Sequence, residues 1–160
     1  MAIYSATAEW TLGDGEDFLR GRYSRGHRLT FGSGFQAPGT ASPHVVGNRW
    51  SLERAVDPEE SLVAAINTCH MLSFLHVARE AGFVVIRYRD EAEGVMSKTD
   101  TGQFWLSKVT LRPEIAYRGA TPTPRQRERL HHAAHETCYI ANSVKTEILV
   151  EEKTDLVSPD

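Results

Sequence analysis

Apolar and polar residues alternate over positions 3–11, IYSATAEWT, and the alternation stops at Gly13-Asp14-Gly15 before an extended pattern resumes over 18–23. Period-two alternation on both sides of a glycine turn predicts a β-hairpin. Residues 28–31 continue as strand. Residues 32–47 lose all periodicity and are rich in Gly, Pro, Ser and Ala, which predicts a long surface loop of the kind that often carries function.

The next segment changes period. Asp57 suits an N-cap, Pro58 the first helical position, and Glu60 stands three residues after the cap, as a capping box requires. No formally charged side chain occurs over 61–77, while Leu62, Ile66, Leu72, Phe74, Leu75 and Val77 point in several directions. The helix is therefore expected to be buried nearly all round, and Gly82 supplies its stop. Strands follow over 83–89 and 91–98. A turn at Thr99-Asp100-Thr101-Gly102 leads into a third over 104–117, giving an antiparallel meander. Thr123-Pro124 then caps a second helix running through Leu130, Ala133, Ala134 and Cys138, and 143–151 closes the chain as a strand.

This order of elements predicts an α+β fold. At 160 residues, with 41% hydrophobic and 24% charged content, the whole chain, 1–160, is expected to be one domain, with neither internal repeat nor linker. A net charge of -3 with mixed signs offers no basic stripe, so nucleic acid is not an expected partner. The N-terminus lacks a cationic-then-apolar leader, and no run approaches the roughly 18 apolar residues of a spanning helix, so neither membrane nor export is expected. A cytoplasmic location follows from that reading. Two cysteines far apart suit a reducing compartment in which thiols stay available for chemistry.

Cys69 lies in the middle of the apolar helix. A lone cysteine there is most often a small buried hydrophobe, and a reactive thiol needs a neighbouring cation that the helix does not carry. Arg25 and His27 in YSRGH and Arg49 in GNRW flank the long loop and are the candidate cations. His70 is adjacent, yet successive helical residues point about 100° apart, so a satisfied, mostly buried histidine is the better reading. In HHAAHETC, His131, His135 and Cys138 share a helical face at i, i+4 and i+7. A tetrahedral site needs more ligands and an outer set of partners, so neither a metal nor a cofactor is expected.

The stretch Asp57-Pro58-Glu59-Glu60, then Ala64-Ala65, then Thr68-Cys69, resembles the OsmC/Ohr family of thiol-dependent hydroperoxide reductases. Glu80-Ala81-Gly82-Phe83 after the helix and Ala134-His135-Glu136-Thr137-Cys138 extend the likeness, which covers most of the chain. The resemblance implies two antiparallel sheets around central helices in an intertwined homodimer with active sites at the interface. It also implies a cysteine-based peroxidase of the oxidative-stress response, with Cys69 as the peroxidatic and Cys138 as the resolving cysteine. Glu59 matches the acidic residue that holds the family's active-site arginine. Arg49 and Arg25 compete for that role, with Arg49 favoured narrowly. Tyr139 stands where proline usually follows the second cysteine, and His70 where a small or aromatic residue follows the first; both mark a separate branch.

In the implied cycle an arginine lowers the pKa of Cys69, whose thiolate attacks an organic hydroperoxide and becomes a sulfenic acid. Cys138 condenses with it, and an external dithiol, a lipoyl protein or a small thiol, reduces the disulfide. The apolar setting favours an organic peroxide over hydrogen peroxide. Along a continuous helix Glu59 and Cys69 stand roughly 15 Å apart, so either the helix breaks or Glu59 serves the partner subunit's thiol. Cys138, near the negative end of its helix, is a poor first nucleophile. The alternative function is a non-catalytic protein that holds a small apolar ligand on the same scaffold.

Overall fold

The computed structural model describes residues 1–153, which group into two compact units, Met1–Ser61 and the part from Leu62 on. In the first unit, β1 (Ala6–Glu9), β2 (His27–Phe31) and β3 (Gln36–Gly39) form one antiparallel sheet in that order. The expected hairpin changes partner: β1 pairs with β2, not with residues 18–23. That segment folds back on itself instead, because Gly21 takes a φ of 69° and lets Asp17 and Arg22 exchange backbone hydrogen bonds of 3.0 and 2.9 Å. Its rings pack locally, with Phe18 stacked on Tyr23 at 4.8 Å and Trp10 edge-on to Tyr23 at 5.3 Å.

The predicted loop over 32–47 is more ordered than its composition suggested. Gly34, at a φ of 84°, reverses the chain so that β3 returns along β2, and a one-turn helix, α1 (Pro43–Val46), is capped by Ser42. Gly39 faces His27 across the β2–β3 ladder, where a Cβ would stand 2.2 Å from the ring's Nε2, so any larger residue would displace the His27 ring.

The long helix α2 (Pro58–Glu80) begins as the sequence predicts. Glu60 N–H donates to Asp57 Oδ1 at 2.7 Å and Asp57 N–H donates to Glu60 Oε2 at 3.4 Å, closing the capping box. It ends where Gly82 turns at a φ of 82°. Its burial is narrower than expected. Only Ile66, His70, Phe74 and Ala78 are buried, a single stripe of every fourth residue, while Ala64, Thr68, Leu72 and His76 face outward. The expectation about membranes also needs correction: at 23 residues, α2 is long and apolar enough to cross one. Core helices of soluble proteins meet the same criterion, and this one carries a hydrogen-bonded histidine on its packed stripe.

The strands after α2 do not form one meander. β4 (Val84–Asp90) pairs antiparallel with β7 (Pro113–Arg118), and β5 (Glu93–Lys98) pairs antiparallel with β6 (Phe104–Leu111). The single strand expected over 104–117 is cut at Arg112, whose N–H donates to Asp90 Oδ1 at 2.6 Å instead of continuing a ladder. Helix α3 (Pro124–Thr137) opens with a complete capping box between Thr123 and Gln126. The closing strand is shorter than predicted: 141–143 make a single 3-10 turn, and β8 (Glu147–Val150) pairs parallel to β6.

The α+β class holds, with the strands of the described residues in three hydrogen-bonded sheets where the resemblance implied two. The stripe on α2 feeds two cores. Phe74 and Ala78 pack with Ile115, Leu130 and Ala134, and Ile66 packs with Leu106, Val109 and Leu111.

Candidate functional site

Packing of α3 on α2 decides where the two thiols lie. The Phe74–Ala78 stretch and the Leu130–Ala134 stretch share one core, and His70 bridges the helices by a 3.1 Å hydrogen bond between its Nε2 and Nδ1 of His131. Cys69, one residue before His70, sits at the edge of the packed stripe and is half-buried; Cys138, the C-cap of α3, is fully buried. Both are free thiols, and Cys69 is near enough to Cys138 to raise its pKa.

The pair is asymmetric. Burial, and then the hydrogen bond with Cys69, push the Cys138 pKa from 9.0 up to about 11, against the smaller opposing effect of Ala141 N–H donating to its sulfur at 3.4 Å. Cys138 therefore holds its proton near neutrality. Cys69 opens on a cavity of about 600 Å³ lined also by Leu72, Ser73, His76, Thr137 and Tyr139. A small molecule can reach that sulfur, while Cys138 waits behind it. Iodoacetamide at about pH 8 is expected to label Cys69 and to label Cys138 about a hundredfold more slowly than an ordinary thiol, because its thiolate fraction is lower by that factor. Peptide mapping by mass measures the two rates, and equal labelling would refute the asymmetry.

The cavity-lining residues carry no permanent cation, and His70 does not supply one. Burial lowers its pKa from 6.5 to about 4, with further repulsion from His131 and His135, so the ring is neutral at neutral pH.

The remaining site residues lie in the first unit. Arg25 and Glu59 line one small cavity of about 230 Å³ together with His27 and Ser42. Arg25 is held by donating to the carbonyls of Gly21 and Tyr23, with its guanidinium 3.7 Å from the Tyr23 ring centre. Arg49 is elsewhere in that unit, 4.9 Å over the Trp50 ring, and does not line the cavity with Glu59. So the structure brings Arg25, the second choice of the sequence reading, together with Glu59. Because α2 is unbroken, a helix break between Glu59 and Cys69 is ruled out.

The HHAAHETC face divides. Cys138 turns to Cys69 and His131 to His70, and among the described residues no three His, Cys, Asp or Glu side chains converge on one point. Sequence reasoning missed the walls of the thiol cavity, although Ser73 and His76 stand at i+4 and i+7 from Cys69 and were legible as its neighbours. It also missed the pairing of His70 with His131, which depends on how two helices pack.

Three comparisons bear on this arrangement. A family model described as OsmC-like protein matches residues 51–153. An OsmC-like protein of unknown function from Vibrio cholerae has 44% sequence identity and a TM-score of 0.91 over 96% of this chain and 100% of that one. An organic hydroperoxide resistance protein from Elizabethkingia anophelis shares the fold at 18% identity and a TM-score of 0.69, over 95% of this chain and 94% of that one. The organic hydroperoxide resistance protein OhrB of Bacillus subtilis does so at 17% identity and a TM-score of 0.66, over 95% and 98%. No curated protein matches the chain.

Proposed function

The chain belongs to the OsmC-like protein family, and from that premise we propose that it reduces organic hydroperoxides to alcohols with Cys69 as nucleophile and Cys138 as resolving thiol. The observation that carries this reading is an accessible thiol at a cavity with a buried thiol beside it that keeps its proton. The fold shared with proteins named for organic hydroperoxide resistance supports it.

In this reading the Cys69 thiolate attacks the outer peroxide oxygen. The O–O bond breaks, the alkoxide takes a proton and leaves as alcohol, and Cys69 becomes a sulfenic acid. Cys138 then attacks the Cys69 sulfur, a disulfide forms, and water departs with the proton of the Cys138 thiol. An external dithiol takes up the oxidising equivalents by exchange, ending as its own disulfide and restoring both thiols. A lipoyl group or a small dithiol has the required chemistry. Leu72 on the wall of the cavity favours an alkyl or aromatic peroxide over a small hydrated one.

The active form in this proposal is a homodimer in the cytoplasm. Two observations favour the dimer. A helix buried along only one stripe leaves Leu72 61% exposed, a large apolar side chain that a second subunit would cover. The activating cation is needed at Cys69, whereas Glu59 stands ten residues away on the same unbroken helix, roughly 15 Å by helical rise. A second subunit's Arg25 and Glu59 serving this chain's Cys69 meets both requirements.

The test adds cumene hydroperoxide to the reduced protein and follows mass and free thiol. Loss of two hydrogens with formation of one Cys69–Cys138 disulfide per chain is expected, together with one equivalent of cumyl alcohol. Unchanged thiols after peroxide would overturn the activity. Repeating the measurement across a dilution series with sedimentation tests the dimer, since a fully active monomer would remove that part.

A further inference from the structure

His70, His131 and Glu152 are not used by the reaction above; His131 and Glu152 line a second cavity of the same unit, and His70 stands behind His131. This cavity, about 510 Å³, lies along α3 and β8 and is lined by Arg127, Glu128, His131, His132, His135 and Glu152, among others. Its deepest donor is His131, only 7% exposed. The ring's Nδ1 is committed to His70 Nε2 at 3.1 Å, while its buried Nε2 makes no hydrogen bond.

The nearest group to that nitrogen is informative. Glu152 Oε2 stands 3.5 Å from His131 Nε2, within ion-pair reach of a protonated ring but without a hydrogen bond. Two ligands at about 2.0–2.1 Å from a tetrahedral ion are themselves about 3.3–3.4 Å apart, so the spacing suits one cation held by both. The outer partners suit it as well. His70 holds the ring through the nitrogen remote from the cavity, as ligating imidazoles are held elsewhere, and Arg127 Nε, 3.2 Å from the same Oε2, fixes the carboxylate. His135, one turn after His131, lines the same cavity and is half-buried.

We infer that His131, His135 and Glu152 form a binding site for a divalent transition-metal ion of the zinc type, with His70 as the residue that orients His131. Two histidines at i and i+4 on one helical face plus a carboxylate supply three ligands, and the open cavity leaves the fourth position to water. His131 and Glu152 stand at ligand spacing. No three donors already converge among the described residues, so His135 is the ligand that turns in on binding.

The test uses whole, reduced, chelator-treated protein titrated with Co²⁺, followed by visible absorption, and with Zn²⁺ by calorimetry. One ion per chain is expected, with the bands of a tetrahedral nitrogen–oxygen site and no thiolate charge-transfer band. His135→Ala and Glu152→Gln should each weaken binding by at least tenfold, while His44→Ala, at an exposed histidine of the first unit, leaves it within about twofold. Circular dichroism checks that each variant is folded, and the two substitutions change residues outside the packed cores. Absence of binding below millimolar metal, an affinity in either variant equal to that of the unsubstituted protein, or a thiolate band that vanishes in Cys69→Ser would each overturn the site.

Discussion

Cys69→Ser is expected to lower hydroperoxide reduction by a factor on the order of 10³ or more, whereas Cys138→Ser leaves the first oxidation intact and stops turnover. The loss at Cys69 is large because removing a nucleophile removes the covalent pathway itself. The difference between the variants follows from the geometry: Cys69 faces the cavity, and Cys138 is buried with its pKa pushed up to about 11. In Cys138→Ser, one equivalent of peroxide should be consumed and the Cys69 sulfenic acid should be trapped by dimedone. Further peroxide should then carry Cys69 to sulfinic acid, since no resolving thiol intercepts it. Mass spectrometry of the single-turnover product separates these outcomes. A Cys138→Ser protein that turns over normally with a dithiol would show that a thiol other than Cys138 resolves the sulfenic acid. Full activity in Cys69→Ser would end the reading of that residue as nucleophile.

Phe74→Ala should destabilise the fold by about 3–5 kcal/mol, the usual range for a fully buried phenylalanine. The ring is wholly inaccessible and stands where α2, α3 and the β4–β7 sheet meet, with centroids 5.7 Å from Tyr88 and 4.5 Å from His131. Its neighbours Ala78, Ile115, Leu130 and Ala134 are held by secondary structure on three sides and cannot collapse far into the space left behind. Urea unfolding, read as the midpoint at constant slope, gives the value. A loss below about 1 kcal/mol would mean that this core repacks freely. Because the same stripe sets how α3 lies on α2, the variant should also lower the yield of peroxide-driven disulfide among folded molecules.

Both results depend on features of different legibility. The caps of α2 and α3 were readable because Asp57-Pro58-x-Glu60 and Thr123-Pro124-x-Gln126 satisfy helix-end donors with nearby side chains, a local matter. The stop at Gly82 is local in the same way. The strand partners were not readable. Alternation says which face of a strand is apolar, not which neighbour supplies its hydrogen bonds, so β4 was joined to β5 when its partner is β7, and β1 to residues 18–23 when its partner is β2. The break at Arg112 depends on Asp90, more than twenty residues earlier.

By itself, the sequence determined the α+β class, the ends of both long helices, and Cys69 and Cys138 as the residues carrying the candidate chemistry, since each rests on local spacing or on motifs that survive in order. Only the tertiary structure decided that the two thiols are neighbours, that Arg25 shares a cavity with Glu59 while Arg49 does not, and that His70 is paired with His131. Those are contacts between segments far apart in the chain. Their geometry is set by how helices pack on one another and how strands find partners, and no periodicity along one segment encodes it.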